Sequence, residues 1–290
     1  MAWPVNSPAR PAPGLYFVAT PIGAARDITL RALDLLARYA GVDGKTRFYD
    51  AAERLPIEGV VPKAWREAVG DTGVVYLSLG YSAIGVLMNL WMGVEGTHYA
   101  IHDWPDLMRG VVREINEANL RLVDLAAQSP AEIILMGDNF STDIQPPGFF
   151  HEWSRAYYVE AVRRLHAAGK HVALHLDGRL HEGLRMLAHT GADAADAVTP
   201  KPTGDLTPKQ CRAEAGPGFI LSGGIAPLLW LPQMPISEFA RAAREWLALR
   251  QVSPRLIAAA GDQVPPGADE DRIKLLAELV AEQGRYGSEG

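Results

Sequence analysis

The sequence predicts an α/β fold, a (β/α)8 barrel of the TIM type, and two observations carry that expectation. Six short apolar runs recur between Val74 and Asp262, and amphipathic stretches of helical period separate most of them. Each run also closes on small, polar or ionisable residues. Strands that alternate with helices pair in parallel, and in a barrel all their carboxyl ends open on one face. The residues closing the runs are therefore expected to meet in one pocket.

Taken in order, residues 1–13 carry Pro4, Pro8, Pro11 and Pro13 and are expected to form a disordered arm, since proline fixes φ and removes an amide donor. A strand-helix unit follows. LYFVAT (15–20) is strand-like, Pro21-Ile22-Gly23 turns the chain, and Ile28, Leu30, Leu33, Leu36 and Tyr39 line one helical face behind an Asp27 cap. From Gly41 to Gly73 the pattern is less regular, with one strand expected within 53–61 and one helix within 64–69. Residues 14–73 are thus read as an N-terminal segment, possessing the two weakest strands, beside which the barrel is irregular or open.

The barrel proper, 74–290, begins with the six runs at 74–81, 132–139, 171–178, 195–202, 218–224 and 256–263. A long helix is predicted over 104–125, where Leu107, Val111, Ile115, Ala118 and Val123 follow three-to-four spacing behind Asp103 and Pro105. Shorter helices are expected near 149–168, 182–190, 206–215, 235–250 and 269–283, with Asp205 as the N-cap of the third of these. Trp91, Trp104, Trp153, Trp230 and Trp246 are assigned to the core and to helix packing.

A chain of 290 residues, 48% of them hydrophobic, can bury a barrel-sized core. The net charge of -6, with Lys and Arg scattered, argues against a nucleic-acid binder. Cys211 is the only cysteine, which excludes an intrachain disulfide and a multi-cysteine metal site. No apolar stretch approaches the ~20 residues of a membrane span, and the proline-rich start lacks the apolar stretch of a secretion signal. A soluble, cytoplasmic protein acting on a small molecule is expected, with its oligomeric state left open and a homodimer compatible with the sequence.

Chemistry is expected at the strand ends. His175 and Asp177 lie two apart in a strand and so point to the same side. With Asp262 at the end of the last run they form a candidate site for zinc or another divalent metal, or an acid-base cluster without one. The alternative is local: His175 hydrogen-bonds nearby and Asp177 opens the loop at Gly178. Asp138 can act as a general base or ligand, or cap the segment after it, and Asn139 beside it is a candidate substrate contact. Tyr81, Arg179 and Asp196 are substrate contacts by position. Gly223 and Gly224 let backbone approach a ligand, or simply make a turn. His166, His181 and His189 fall on predicted helices without ligand-like spacing.

Five blocks, in order, carry a resemblance. IHDWPDLMRGVVREI, then ILMGDN with PPGFFHEWSRAYYVEAVRRLHAAGKHVALHLDG, then LAHTGADAADAVTPKPTGDLT, ILSGGIAPLLW and AAAGDQVPPGADEDRIKLLAELVAEQGRYG resemble the uroporphyrinogen decarboxylase superfamily, which includes cobalamin-dependent methyltransferases. The resemblance, over about 74–286, implies a barrel with its site at the strands' carboxyl ends and a methyltransferase-like or lyase-like activity on a small substrate. For the methyltransferases it also implies a corrinoid carried by a partner protein. Their zinc-dependent members have His-x-Cys-Gly and a cysteine on the last strand where this chain has Asp177 and Asp262. Uroporphyrinogen decarboxylase itself grips its substrate with an arginine-rich segment, and no Arg-x-x-x-Arg motif precedes Val74. Porphyrinogen decarboxylation and a non-catalytic, truncated barrel stand as alternatives. Separately, GLYFVATPIGAARDITLRALDLLA (14–37) resembles the start of tetrapyrrole-methylase-type enzymes that 2'-O-methylate 16S ribosomal RNA, but their acidic segment and glycine-rich methyl-donor motifs do not follow. No methyl-donor pocket can be built without them.

Overall fold

The computed structural model describes residues 73–284 together with Glu67, Val69 and Gly70. The six predicted runs form strands Tyr76–Leu79 (β1), Ile133–Phe140 (β2), His171–Leu176 (β3), Ala194–Val198 (β4), Ile220–Ile225 (β5) and Leu256–Ala260 (β6). They make one sheet in the order β1-β2-β3-β4-β5-β6. The β3–β4, β4–β5 and β5–β6 pairs are parallel, and helices alternate with the strands. This is an α/β fold consistent with a partial barrel. The arm expected at 1–13, the segment at 14–66 and its two strands lie outside the described residues.

The described residues group into two compact units, one up to Leu77 with 128–133, and the other 78–127 with 134–284. In the first, Val75 and Ala131 are buried, and the carbonyl of Val75 accepts from the amide of Glu132 at 3.1 Å. Every candidate site residue belongs to the second.

In that second unit Ser82 starts a helical stretch that the sequence left unassigned: Ala83–Val86, a π turn Leu87–Trp91, then Gly93–Asp103. The Ser82 hydroxyl accepts from the amide of Gly85 at 3.2 Å and caps it. Its first half, AIGVLMNLWM, is apolar nearly all round and shows no helical period. Pro105–Gln128 then buries Met108, Val112, Asn119, Val123 and Ala126 on one stripe. The turn geometry differs from expectation at Leu107, Trp91 and Trp104, which are exposed, the two indoles to 64% and 60%. The core side of Gly93–Asp103 is taken by Thr97 and Ala100, which leaves the indoles at its two ends facing out. Trp153, Trp230 and Trp246 are buried as expected.

The helix Pro208–Ala215 is capped by Thr207 in a reciprocal box with Gln210, not by Asp205. The Asp205 carboxylate instead accepts from the amides of Leu180, at 2.9 Å, and His181, at 3.2 Å, tying down the loop after β3. At the far end Ile225, Trp230, Phe239, Leu247 and Leu276 share one core cluster. Buried Arg272 closes it by donating to the carbonyls of Leu229 and Met234. No helix among the described residues is long and apolar enough to cross a membrane.

The tightest approach in this core is at Gly224, whose φ of 102° is left-handed and where any Cβ would enter the ring of Trp246. Gly224→Ala combines overpacking with backbone strain and should cost about 3 kcal/mol. Chemical denaturation checks this, with an unchanged midpoint as the contrary result.

Candidate active site

His175 is the penultimate residue of β3 and only 5% exposed. A buried imidazole needs a partner, and the register supplies one, because His175 and Asp196 are paired residues on adjacent parallel strands. Nδ1 of His175 lies 3.0 Å from Oδ2 of Asp196. A carboxylate can only accept, so Nδ1 carries the proton and Nε2 is the nitrogen left for a ligand. The Ser222 hydroxyl, from β5, donates weakly to the other oxygen of Asp196 at 3.4 Å. Burial presses the imidazole towards its neutral form. The hydrogen bond and charge of Asp196, with the charges of Asp262 and Asp177, more than offset this and hold its pKa above the ordinary histidine value.

Asp177 and Asp262 stand around this pair on the exposed rim. The Asp177 amide donates to the carbonyl of Phe140 at 2.8 Å, and its carboxylate accepts from the amide of Gly178 at 2.8 Å, the local turn that the sequence allowed. The Asp262 carboxyl is raised by partial burial and by the like charges of Asp177 and Asp196, against the lowering effect of His175. The three-ligand metal site expected from His175, Asp177 and Asp262 is not assembled. Among the described residues no three His, Cys, Asp or Glu side chains gather around one point. Nδ1 of His175 is already committed to Asp196, and the Asp177 carboxylate is turned to its own loop.

Asp138 has a different role from the one expected at a pocket mouth. It is 2% exposed, with one oxygen accepting from the Ser82 amide at 2.5 Å and the other from the Tyr158 hydroxyl. Burial raises its pKa against those two hydrogen bonds, and burial with the neighbouring carboxylate holds the Tyr158 phenol well above its usual range. A Cβ at Gly85 would strike the same carboxylate. Asp138 therefore fastens the end of β2 to two helices. Neither Ser82 nor Tyr158 was named from the sequence, since a tyrosine on a helix's apolar face looks like core. Asn139 follows at φ 48°, a left-handed turn that asparagine tolerates.

Tyr81 is half-buried, and its hydroxyl is raised by burial and then by the charges of Asp138 and Asp177, placing it between the anchor and the rim. Arg179 is exposed, 3.5 Å from Asp143, while its backbone is pinned by Ser141 and Thr142. Gly223 and Gly224 both have packing reasons to be glycine, the first against the backbone of Val198 and the second against Trp246. Elsewhere, a groove of about 420 Å³ between helices Pro105–Gln128 and Arg155–Ala167 is lined by Arg109, Asn116, Trp153 and Glu160, among others, and holds no candidate residue.

The sequence profile named uroporphyrinogen decarboxylase (URO-D) matches residues 82–283. The chain belongs to the uroporphyrinogen decarboxylase family. Its fold is similar to that of a methyltransferase from Methanosarcina mazei, with a TM-score of 0.62 and 20% identity, over 77% of this chain and 63% of that one. The chain thus spans less than two thirds of that protein's length. No curated protein matches. The family match takes in every candidate residue except Tyr81, which immediately precedes it. It starts well after 14–37, and the resemblance of that segment to ribosomal RNA methylases gains no support and lies outside the described residues.

The titration of His175 has a sign that can be checked. A histidine whose folded pKa is raised adds stability that is full below the unfolded value, about 6.5, and is lost as pH rises through the folded value. Asp196→Asn should lower the His175 pKa, followed through its ring-proton NMR signals. The stability gap between wild type and variant should be widest on the acid side of that window and shrink above it. A gap independent of pH contradicts the assignment.

Proposed function

We propose that this chain is an enzyme of the family whose chemistry is proton transfer at Nε2 of His175, on a small substrate at the carboxyl ends of the strands. The observation that carries this reading is the buried His175–Asp196 pair at 3.0 Å. A carboxylate on Nδ1 fixes the tautomer and stabilises the imidazolium, which lets Nε2 give or take a proton near neutral pH. In a lyase-like step, the bond to the departing carboxylate breaks, carbon dioxide leaves, and the proton on Nε2 ends on the carbon that keeps the electron pair. In a methyltransferase-like step, neutral Nε2 takes the proton that a thiol or hydroxyl acceptor loses, the acceptor's electron pair forms the new bond to the methyl group, and the corrinoid on a partner protein that supplies it would keep the electron pair of the bond that breaks. The family's name supports the first branch, and the methyltransferase of similar fold the second.

Charge separates this reading from porphyrinogen decarboxylation. Asp177, Asp196 and Asp262 surround one imidazole, and Arg179 is paired with Asp143. A substrate with eight carboxylates meets repulsion here and, among the described residues, no arginine clamp. Turnover of uroporphyrinogen should be negligible, and a rate on the order of 0.1 per second or more overturns this.

The direct test assays two reactions, carbon dioxide release from small pyrrole-acetic acids and methyl transfer from methylcobalamin to 2-mercaptoethanol. Whichever the wild type performs, His175→Asn should lower its kcat by about 10²- to 10⁴-fold, the usual contribution of a general acid or base. Activity retained in that variant, or neither reaction in the wild type, counts against the proposal.

A further inference from the structure

Asp196 holds His175 from an irregular strand, and the irregularity can be counted. On the β3 side the register is regular, with Ala173, Leu174 and His175 facing Ala194, Ala195 and Asp196 in turn. On the β5 side Ala195 faces Leu221 but Val198 faces Gly223, so β4 advances three residues while β5 advances two. Asp196 and Ala197 together therefore stand opposite the single residue Ser222. That is a β-bulge with Asp196 at its first position and Ala197, buried and at φ 64°, at its second. An alanine has no intrinsic preference for left-handed backbone, so neighbouring structure must impose it.

Two glycines do so. A methyl group at Gly223 would stand 2.5 Å from the carbonyl oxygen of Val198 and 2.7 Å from its nitrogen. One at Gly261 would stand 2.5 Å from Oγ1 of Thr199 and 3.0 Å from its Cα. Thr199 in turn donates from Oγ1 to the carbonyl of Ala197 at 3.2 Å, holding the far side of the bulge. The carboxyl end of β4 is thus seated against two bare backbones, one in β5 and one immediately before Asp262.

We infer that this bulge, seated on Gly223 and Gly261, is a positioning device. By slipping β4 against β5 while keeping it in register with β3, it sets the Asp196 carboxylate between His175 and Ser222. Ala197, Gly223 and Gly261 act through Asp196 and touch no substrate. The inference rests on the proposed role of His175, and its test separates the two.

The His175 pKa is measured by NMR in the full chain. Gly223→Ala pushes Val198 off β5, and Ala197→Val installs a β-branched residue where φ is positive, which such residues strongly avoid. Both should bring the His175 pKa down towards that of Asp196→Asn. Ala197→Gly, which accepts the same backbone freely, should leave the pKa as in the wild type and raise the denaturation midpoint. Gly224→Ala is the control: it disturbs the adjacent residue of β5 against Trp246, and should destabilise the chain without moving the His175 pKa. Should Gly223→Ala fail to fold, Ala197→Val against Ala197→Gly decides. A His175 pKa that falls only in Asp196→Asn overturns the positioning role and leaves the pair standing. One that does not fall even in Asp196→Asn removes the proposed function itself.

Discussion

A buried histidine at the carboxyl end of a parallel strand has to be satisfied, and the way His175 is satisfied organises the site. Leaving a buried polar nitrogen unpaired costs roughly 1–3 kcal/mol. Here the sheet's own register removes that cost, because the residue opposite His175 is Asp196. The same contact fixes which nitrogen is protonated, leaves the other outside the pair, and lifts the ring's basicity against the depressing effect of burial. Packing and the proposed chemistry therefore depend on one hydrogen bond of 3.0 Å.

The two inward carboxylates of the sheet show how environment divides roles among identical groups. Asp138 is closed in by Ser82, Tyr158 and Gly85, with a donor on each oxygen, and serves as a bolt between β2 and the helices beside it. Asp196 is only partly buried and keeps its firm bond for an imidazole. Tyr81, influenced electrostatically by both Asp138 and Asp177, links the bolt to the rim. The rim itself is acidic, and partial burial, with the crowding of Asp177 and Asp196, raises the carboxyl of Asp262 against the charge of His175. Such a rim disfavours polyanions, in keeping with the proposed function.

Much of this was legible in the sequence, for physical reasons that can be stated residue by residue. Strands with both faces covered read as continuous apolar runs, and all six appear where such runs occur. His175 stood out because it interrupts one of them. The partner of His175 was not legible, although Asp196 itself was noticed. Pairing of residues 21 apart depends on strand register, which no local pattern encodes. The bulge at Ala197 was hidden for the same reason, since alanine advertises no turn. Asp205 looked like a helix cap because it precedes Thr207-Pro208, yet its carboxylate faces back to the loop after β3. The helical stretch after Ser82 escaped notice because residues apolar on every side show no period.

The central claim concerns a proton, and the ¹⁵N NMR spectrum of the His175 ring tests it most directly. Above the ring's pKa the account predicts a neutral imidazole protonated at Nδ1, with Nε2 bare and moving most in chemical shift as pH falls. A neutral ring protonated at Nε2 instead would show that Asp196 does not hold it, and would contradict the account.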